Sequence, residues 1–226
     1  MSKTTEAIAT TRKREPLISW LLYIALKWGV IRPIMSGYFH FRIYGTENIP
    51  KEGGFIAVSN HASNVDPPML SAGITRPLAF MAKEELFRVP VLKQLISAYG
   101  AYPVKRGTGD RGAIRAAIHS IEQGWGVGVF LQGTRTKDGR VTEPKAGAAL
   151  IAAKAQVPLI PMSINGTDKI FQENSKFPRP VEITIHIGQA IAPPSSVTKN
   201  NLNAVTQACT EAINQLHARG RQAPDL

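Results

Sequence analysis

Residues 55–68 read Phe-Ile-Ala-Val-Ser-Asn-His-Ala-Ser-Asn-Val-Asp-Pro-Pro, and this stretch decides the fold. Its first five residues form a short, mostly apolar run, which is typical of a strand buried inside a sheet. Asp is a preferred N-cap and proline is favoured at the first position of a helix, so Asp66 is predicted to cap a helix over residues 67–73. The stretch therefore predicts a strand, a loop that carries His61, and a helix.

The same alternation of short apolar strands and helices continues along the chain. Further strands are predicted over residues 78–81, 101–104, 127–131, 157–162 and 181–187. Helices are predicted over residues 84–99, 110–123 and 146–155, and a last helix follows from the helical spacing of Leu202, Val205, Cys209, Ile213 and Leu216. This pattern indicates one α/β domain over residues 41–226, a mixed and mostly parallel sheet flanked by helices.

The N-terminal 40 residues differ from the rest in composition. Residues 1–14 are polar and without periodicity, so a flexible terminus is predicted. Residues 15–40 are predicted to be helical with a break at Pro33, and their apolar part, residues 17–31, contains two tryptophans and a tyrosine next to basic flanks. Its length of about 22 Å is short of the roughly 30 Å of a hydrocarbon core. We therefore predict a membrane-interfacial segment, with a signal peptide and a buried helix as the alternatives.

The charge balance points to an anionic partner. The 226 residues have a formal net charge of +11 and a pI near 10.0, which fits nucleic acid, an acidic bilayer or a phosphorylated substrate. We expect no nucleic-acid partner, because neither zinc-ligand spacing nor a basic–aromatic signature is present. The single cysteine, Cys209, excludes an internal disulfide and fits a reducing, cytoplasmic compartment.

His61 and Asp66 are the candidate catalytic residues. In a strand–loop–helix bend the carboxylate of Asp66 can turn back to the imidazole and hold one ring nitrogen, which leaves the other nitrogen free to take a proton from a hydroxyl. The alternative is structural: Asp66 only caps its helix, and His61 only binds a nearby backbone group.

Basic and polar residues follow other predicted strands. Lys105 and Arg106 follow residues 101–104, Arg135 follows residues 127–131, and Lys145 precedes the helix over residues 146–155. Loops at the carboxyl ends of strands line the ligand crevice of α/β sheets, and arginine forks suit phosphate oxygens. These residues are predicted to meet the His61 loop, and the alternative for each is a solvated surface charge.

Four blocks resemble those of the 1-acyl-glycerol-3-phosphate acyltransferase family, in its order and with similar gaps. They are Asn-His-Ala-Ser-Asn-Val-Asp (60–66), Val-Lys-Arg-Gly (104–107), Phe-Leu-Gln-Gly-Thr-Arg (130–135) and Val-Pro-Leu-Ile-Pro (157–161). The resemblance implies a glycerolipid-acyltransferase fold. It implies transfer of a fatty acyl group from acyl-carrier protein or coenzyme A to the sn-2 hydroxyl of lysophosphatidate, giving phosphatidate, without a metal or other cofactor. From the N-terminal segment and the single cysteine, we expect the protein on the cytoplasmic face of a membrane, peripheral or monotopic.

The resemblance also implies residue roles. His61 would be the general base and Asp66 its orienting partner. The substrate-binding residues would include Arg106 and Arg135 for the acceptor phosphate, with contributions from Lys105, Gln132, Gly133, Thr134 and Lys145.

Two residues depart from the family pattern: Gln132 stands where glutamate is usual, and Leu131 where proline is usual. The lost charge keeps another lysophospholipid open as the acceptor. Two further alternatives remain: a catalytically inactive homologue that binds anionic membranes, and a hydrolase in which water replaces the lipid hydroxyl.

Overall fold

A computed structural model describes residues 17–89, 93–94, 96–97, 100–104, 111–171 and 177–222. The predicted flexible terminus, residues 1–14, and the site candidates Lys105 and Arg106 lie outside the described residues.

Seven strands form one sheet in the order β1-β7-β6-β2-β5-β3-β4. All neighbouring pairs are parallel except β6 and β7, which are antiparallel. The expected mixed, mostly parallel sheet is confirmed. The strands are β1 His40–Tyr44, β2 Phe55–Ser59, β3 Leu78–Lys83, β4 Ala101–Val104, β5 Gly126–Phe130, β6 Leu159–Asn165 and β7 Glu182–Ile187.

Helices flank this sheet, and six of them have both bounds within the described residues. These six are α1 Leu17–Leu26, α2 Arg32–Tyr38, α3 Asp66–Gly73, α4 Arg111–Glu122, α5 Gly147–Ala155 and α6 Lys199–Gln222. Apolar residues of α2 and α3 pack on one face of the sheet, where Met35 and Leu70 are buried. Residues of α4, α5 and α6 pack on the other face, where Ile121, Ile151 and Ile213 are buried. The core therefore has three layers, with the sheet in the middle.

Two glycines of β5 leave room for aromatic rings from the neighbouring strands β2 and β3. A Cβ at Gly126 would lie 2.4 Å from the Phe55 ring, and one at Gly128 would lie 2.2 Å from the Phe80 ring. No larger residue fits these contacts without a shift of the rings. The Phe80 ring in turn stacks on Phe130, the last residue of β5, with ring centroids 5.6 Å apart. The contact with Phe80 thus defines the position of Phe130 at the carboxyl end of β5.

The N-terminal segment consists of α1, a π-helical turn over Lys27–Ile31, and α2. The backbone N–H of Arg32 donates to the Lys27 carbonyl, and Pro33 lies in the first turn of α2. A proline has no N–H for the helical ladder, so the helix is interrupted close to the predicted break.

One side of this segment packs against the α/β domain. Tyr23 and Lys27 are fully buried. The hydroxyls of Tyr23 and Ser71 are 2.6 Å apart, and Lys27 Nζ donates to the carbonyl of Ile74, at the end of α3. We expected Tyr23 to lie at the membrane interface with the tryptophans of this segment. That expectation is wrong, because the Tyr23 ring is buried and packs edge-to-face against Trp125.

The other side of the segment is exposed and apolar. Its large exposed side chains are Leu21, Trp28, Val30 and Ile34. Over the described residues, no helix has the length and apolar character required to cross a membrane.

Two local expectations are corrected. The residue at the N-cap of α3 is Val65, and Asp66 is the first residue of the helix. Residues 40–44 form strand β1 at the sheet edge, a strand the sequence did not predict. Its residues alternate between exposed and half-buried, so they lack the apolar run by which the inner strands are recognised.

Candidate active site

His61 and Asp66 are in direct contact, as the sequence predicts. Nδ1 of His61 is 2.7 Å from Oδ2 of Asp66. The same oxygen accepts hydrogen bonds from the backbone N–H groups of Ala62 and Ser63, at 2.7 and 2.8 Å. A carboxylate only accepts, so Nδ1 of the neutral imidazole carries the hydrogen and Nε2 is left with its lone pair. The loop therefore sets the tautomer that a general base requires.

Asp66 acts on the loop rather than on its helix. It is fully buried, and its carboxylate points back to residues 61–63 instead of to the first turn of α3. Asp66 is the first residue of α3, and prolines, which are favoured in the first turn of a helix, follow it at positions 67 and 68.

Two further contacts hold His61, one at its ring and one at its backbone carbonyl. Its ring stacks on the Phe130 ring, with centroids 3.9 Å apart and planes inclined by 13°. The backbone N–H of Thr136 donates to the His61 carbonyl at 2.9 Å. The side chain is 10% exposed, and Nε2 makes no hydrogen bond with any described residue. One ring nitrogen is thus fixed, and the other remains available to a ligand.

Asn60 anchors the start of the catalytic loop. Its amide nitrogen donates to the Ile164 carbonyl at 2.9 Å, and its side-chain oxygen accepts from the Ile164 N–H at 2.8 Å. These bonds extend the pairing of β2 with β6 by one residue beyond Ser59. Because both groups of a buried amide are satisfied, the position of the chain just before His61 is defined.

A pocket of about 460 Å³ opens beside this loop. Among the described residues that line it, Arg135 and Lys137 are cationic and none is acidic; the full lining is His61, Ala62, Asn64, Thr134, Arg135, Thr136 and Lys137. A hydroxyl near His61 and a negatively charged group near the cations could be held at the same time.

The loop after β5 is tied down at its base. The Lys145 N–H donates to the Leu131 carbonyl at 2.8 Å. The side-chain oxygen of Gln132 accepts from the backbone N–H groups of Thr142 and Glu143, at 3.0 and 3.3 Å. Gly133 has a left-handed φ of +73°, and a Cβ atom at this position would lie 3.5 Å from Lys145 Nζ. Glycine adopts this conformation without a steric penalty.

Helix α6 supports the far end of the same loop. The side-chain amide of Asn214 donates to the Val141 carbonyl at 2.9 Å and accepts from its N–H at 3.0 Å. Nε2 of His217 is 2.9 Å from the carbonyl oxygen of Asp138. The segment that carries Arg135 therefore rests on the last helix as well as on the sheet.

The structure brings together part of the predicted site. His61, Asp66, Thr134 and Arg135 lie at or in contact with the pocket lining. Gln132, Gly133 and Lys145 form the base of the same loop, outside the lining. Lys105 and Arg106 fall outside the described residues, so their placement stays a prediction.

Sequence reasoning missed Asn60, Phe130 and Lys137. Asn60 pairs with a residue 104 positions away, and nothing in the sequence around Asn60 indicates that partner. Phe130 was read as part of a motif and not as the support for the His61 ring. Lys137 could have been found, because it follows Arg135 by two residues in the same loop.

Other reactive groups in the described part of the chain lie apart from this site. Burial raises the pKa of the Cys209 thiol to about 12, so this side chain stays an uncharged core residue on α6. Within the residues the structure describes, no group of three or more His, Cys, Asp or Glu side chains could hold a metal ion.

Comparison with known proteins adds to this geometry. Residues 40–165 match the protein family described as Acyltransferase. This stretch includes His61, Asp66, Arg135 and the pocket lining, and it makes up more than half of the chain.

The chain is similar to curated proteins named 1-acyl-sn-glycerol-3-phosphate acyltransferase, among them one from Bacillus subtilis and one from Brassica napus. The protein from Bacillus subtilis is 30% identical over 189 residues, which cover 82% of this chain and 92% of the relative. The chloroplastic protein from Brassica napus is 34% identical over 158 residues, which cover 68% of this chain and 45% of the relative. The chain thus spans nearly all of one relative and less than half of the other.

A solved structure has the same fold. The crystal structure of the 1-acyl-sn-glycerophosphate (LPA) acyltransferase PlsC from Thermotoga maritima aligns with a TM-score of 0.70 and 27% sequence identity. The alignment covers 90% of this chain and 87% of that chain.

Proposed function

The chain belongs to the acyltransferase family, and from this membership we propose that it transfers a fatty acyl group from an acyl thioester to the sn-2 hydroxyl of lysophosphatidate, which yields phosphatidate. The similarity to the Bacillus and Thermotoga proteins, both named as acyltransferases of this acceptor, supports the proposal. The main structural support is the contact of His61 with Asp66 at the edge of a pocket that Arg135 also lines.

The proposed chemistry needs only the two substrates and the side chains of the pocket. Nε2 of His61 accepts the proton of the lipid hydroxyl as its oxygen attacks the thioester carbonyl carbon. The carbon–sulfur bond then breaks, and the imidazolium returns the proton to the departing thiolate. Asp66 stabilises the imidazolium through Nδ1 during the step. No acyl-enzyme is formed, which agrees with the burial of Cys209 in the core and its absence from the pocket lining.

Arg135 is the proposed ligand of the acceptor phosphate, since its guanidinium can form two parallel hydrogen bonds to phosphate oxygens. Arg106 and Lys105 are proposed to contribute from the loop after β4. The backbone of Gly133 and the side chain of Thr134 would shape the same loop, and Lys145 would add positive charge at its base.

The substitution of glutamine for the usual glutamate at position 132 is compatible with this acceptor. Gln132 uses its side-chain oxygen to accept from two backbone N–H groups, which an amide can do as well as a carboxylate. A phosphomonoester acceptor therefore stays our proposal, and the donor is either an acyl-carrier protein thioester or a coenzyme A thioester.

We also propose that the protein acts on the cytoplasmic face of a membrane as a peripheral or monotopic enzyme. The support is the exposed apolar side of the N-terminal segment, where the guanidinium carbon of Arg32 lies 4.4 Å from the centre of the Trp28 ring. An aromatic ring next to a cation is typical of the headgroup region of an anionic bilayer.

The test is an acyl-transfer assay with lysophosphatidate and both donors. We expect transfer by the unmodified protein and a loss of at least about 100-fold in His61→Ala. His119→Ala is the matched control, since His119 is an exposed histidine on α4, and it should keep full activity.

Other products would favour other functions. Free fatty acid in place of diacyl lipid would indicate a hydrolase. Equal rates with lysolipids that lack a phosphomonoester would exclude lysophosphatidate as the specific acceptor. No transfer with any donor or lipid would favour an inactive membrane-binding homologue.

A further inference from the structure

Several segments lie at the end of the sheet that holds the candidate active site, where β2, β5 and β6 have their carboxyl ends. β6 runs parallel to β2, and β2 runs parallel to β5, so the end of β6 lies beside the His61 loop and near the loop after β5. β7 is antiparallel to β6, and β1 is parallel to β7. The starts of β1 and β7 therefore lie at this same end. The connection between β6 and β7 and the end of α2 are consequently at the same end of the sheet as the pocket.

The connection between β6 and β7 presents two exposed aromatic side chains. Phe171 is 46% exposed and Phe177 is 80% exposed, the largest exposure among the large hydrophobic residues described. A buried Ile170 precedes them, and the Arg179 N–H donates to its carbonyl at 2.9 Å. A backbone hydrogen bond thus joins the two described residues that flank the rings in sequence, and one of them, Ile170, is buried in the core.

The same loop is attached to the N-terminal segment. The hydroxyl of Tyr38, at the end of α2, donates to the Pro178 carbonyl at 2.7 Å. Tyr38 itself is 43% exposed, and Ile34 of the same helix is 55% exposed. The exposed apolar side of the N-terminal segment therefore continues, through this contact, to Phe177 and towards the pocket.

The charge of the whole chain favours an anionic surface. Lys169 and Arg179 are exposed on either side of the loop, as are the acidic residues Asp168 and Glu182, so the attraction to anionic lipid comes from the net charge of +11 of the whole chain. Aromatic rings insert at the level of lipid headgroups, and neighbouring lysines and arginines are attracted to anionic lipids. A bilayer fits both features of the surface, whereas a protein partner has no observation in its favour.

We propose that Phe171 and Phe177 form a second membrane contact, which inserts into the headgroup region of an anionic bilayer beside the N-terminal segment. This inference rests on the proposed function, since a lipid acceptor is the reason to choose a bilayer as the occupant. The N-terminal segment and this pair of rings would both touch the bilayer at the end of the sheet that holds the pocket. Together they orient the domain, so that the opening near His61 faces the membrane. The acceptor phosphate can then reach Arg135 while its acyl chain stays in the bilayer.

The experiment measures binding of the full chain to vesicles of phosphatidylcholine and phosphatidylglycerol. Phe177→Ser should bind about tenfold more weakly, as expected when one large apolar side chain is lost from the interface, and Phe171→Ser/Phe177→Ser more weakly still. Val197→Ser is the control. Val197 is 56% exposed, and it follows Ile191, whose bridge to Leu159 lies at the opposite end of the sheet, where β6 begins. This variant should bind like the unmodified protein.

Equal vesicle affinity of Phe177→Ser and Val197→Ser would overturn the proposal. A changed oligomeric state of Phe177→Ser with unchanged vesicle affinity would also overturn it, since the surface would then bind a second copy of the chain.

A second assay separates this inference from the proposed function. Acyl transfer to a short-chain lysophosphatidate, dissolved below its micelle concentration, needs no bilayer. Phe177→Ser should keep the full rate in this assay, and a rate loss there as large as its loss of vesicle affinity would overturn a purely membrane role. If the unmodified protein transfers nothing in solution or on vesicles, the proposed function fails, and the vesicle comparison still decides whether the surface binds membranes.

Discussion

The arrangement around Asp66 shows how one side chain can define both a loop and a tautomer. Its Oδ2 atom accepts three hydrogen bonds, from His61 Nδ1 and from two backbone N–H groups of the same loop. The two backbone bonds hold the carboxylate in place, and the third uses that position to orient the imidazole. Removing the negative charge should therefore affect catalysis more than folding.

Asp66→Asn is expected to lower kcat by about 10² to 10⁴ and to leave the acceptor KM within about twofold. The amide keeps the volume and one accepting oxygen, but it no longer stabilises the imidazolium. Steady-state kinetics with lysophosphatidate measure the effect, and circular dichroism checks the fold. Asp168→Asn, at an exposed aspartate, is the matched control, and an unchanged kcat in Asp66→Asn would contradict the proposed role.

Arg135→Ala is expected to raise the apparent KM for the acceptor by at least about tenfold and to change that for the donor little. The reason is that a phosphate contact acts mainly on binding, and a charged hydrogen bond contributes about 1.5–3 kcal/mol. Arg140→Ala serves for comparison, because Arg140 is exposed in the same loop but absent from the pocket lining. If both variants leave the acceptor KM unchanged, Arg135 does not bind the phosphate.

At the scale of elements, the loop between β5 and α5 depends on α6, which is far away in sequence. Asn214 pairs with both backbone groups of the buried Val141. Loss of this amide leaves a buried N–H and a buried carbonyl without partners, and such groups are costly.

Asn214→Ala is expected to lower the free energy of unfolding by about 1–3 kcal/mol. Urea denaturation measures this change, and kcat/KM should fall as well because the loop carries Arg135. Asn203→Ala, at an exposed position of the same helix, should stay within about 0.5 kcal/mol of the unmodified protein. Equal stability of the two variants would show that the contact with Val141 contributes nothing.

The junction between the N-terminal segment and α3 contains a buried cation. Desolvation by burial, and then the nearby positive charge of Arg32, lower the pKa of Lys27 from 10.5 to about 8. The contact with the Ile74 carbonyl at the end of α3 offsets part of the cost, since a cation is favourable at a helix C-terminus.

This pKa predicts a pH dependence of stability. Between about pH 8 and 10.5 the unfolded chain keeps the Lys27 proton while the folded chain has released it, so the unfolded state binds more protons. The free energy of unfolding should therefore rise with pH through this window, by on the order of 3 kcal/mol at most. Thermal unfolding of the unmodified protein and of Lys27→Met measures the effect. The difference between them should change over this window, and a constant difference would contradict the lowered pKa.

At the scale of the whole molecule, charge and apolar surface should contribute separately to membrane binding. The net charge of +11 attracts anionic lipids, and this attraction is screened by salt. The apolar contribution comes from exposed side chains such as Trp28 and is much less sensitive to screening.

Raising the ionic strength from about 0.01 M to about 1 M is expected to weaken binding to anionic vesicles strongly, since the Debye length falls from about 30 to about 3 Å. Trp28→Ser should bind about fivefold more weakly at every salt concentration, with the same salt dependence. Vesicle sedimentation measures both effects. A salt-independent affinity would contradict the electrostatic contribution. Point variants are preferable to deletion of residues 1–32, because deletion also removes the buried Tyr23 and Lys27.

Local patterns in the sequence were sufficient for the fold class and for most of the inner elements. The apolar runs of β2, β5 and β6 predict buried strands, and the spacing on α6 predicts a helix with Cys209 and Ile213 inside. The contact between His61 and Asp66 could also be predicted, because only four residues of one bend separate the two. These features depend on neighbours in sequence, which is why the sequence alone determined them.

Only the tertiary structure decided the features that depend on distant residues. It placed Phe130 under the His61 ring, paired Asn60 with Ile164, set Asn214 against Val141, and turned Tyr23 into the core. Each of these contacts joins segments that are 48 to 104 residues apart or that lie on neighbouring strands. The order of strands in the sheet and the packing of helices on it decide which distant segments come into contact. No local pattern of hydrophobicity or charge specifies which strands become neighbours.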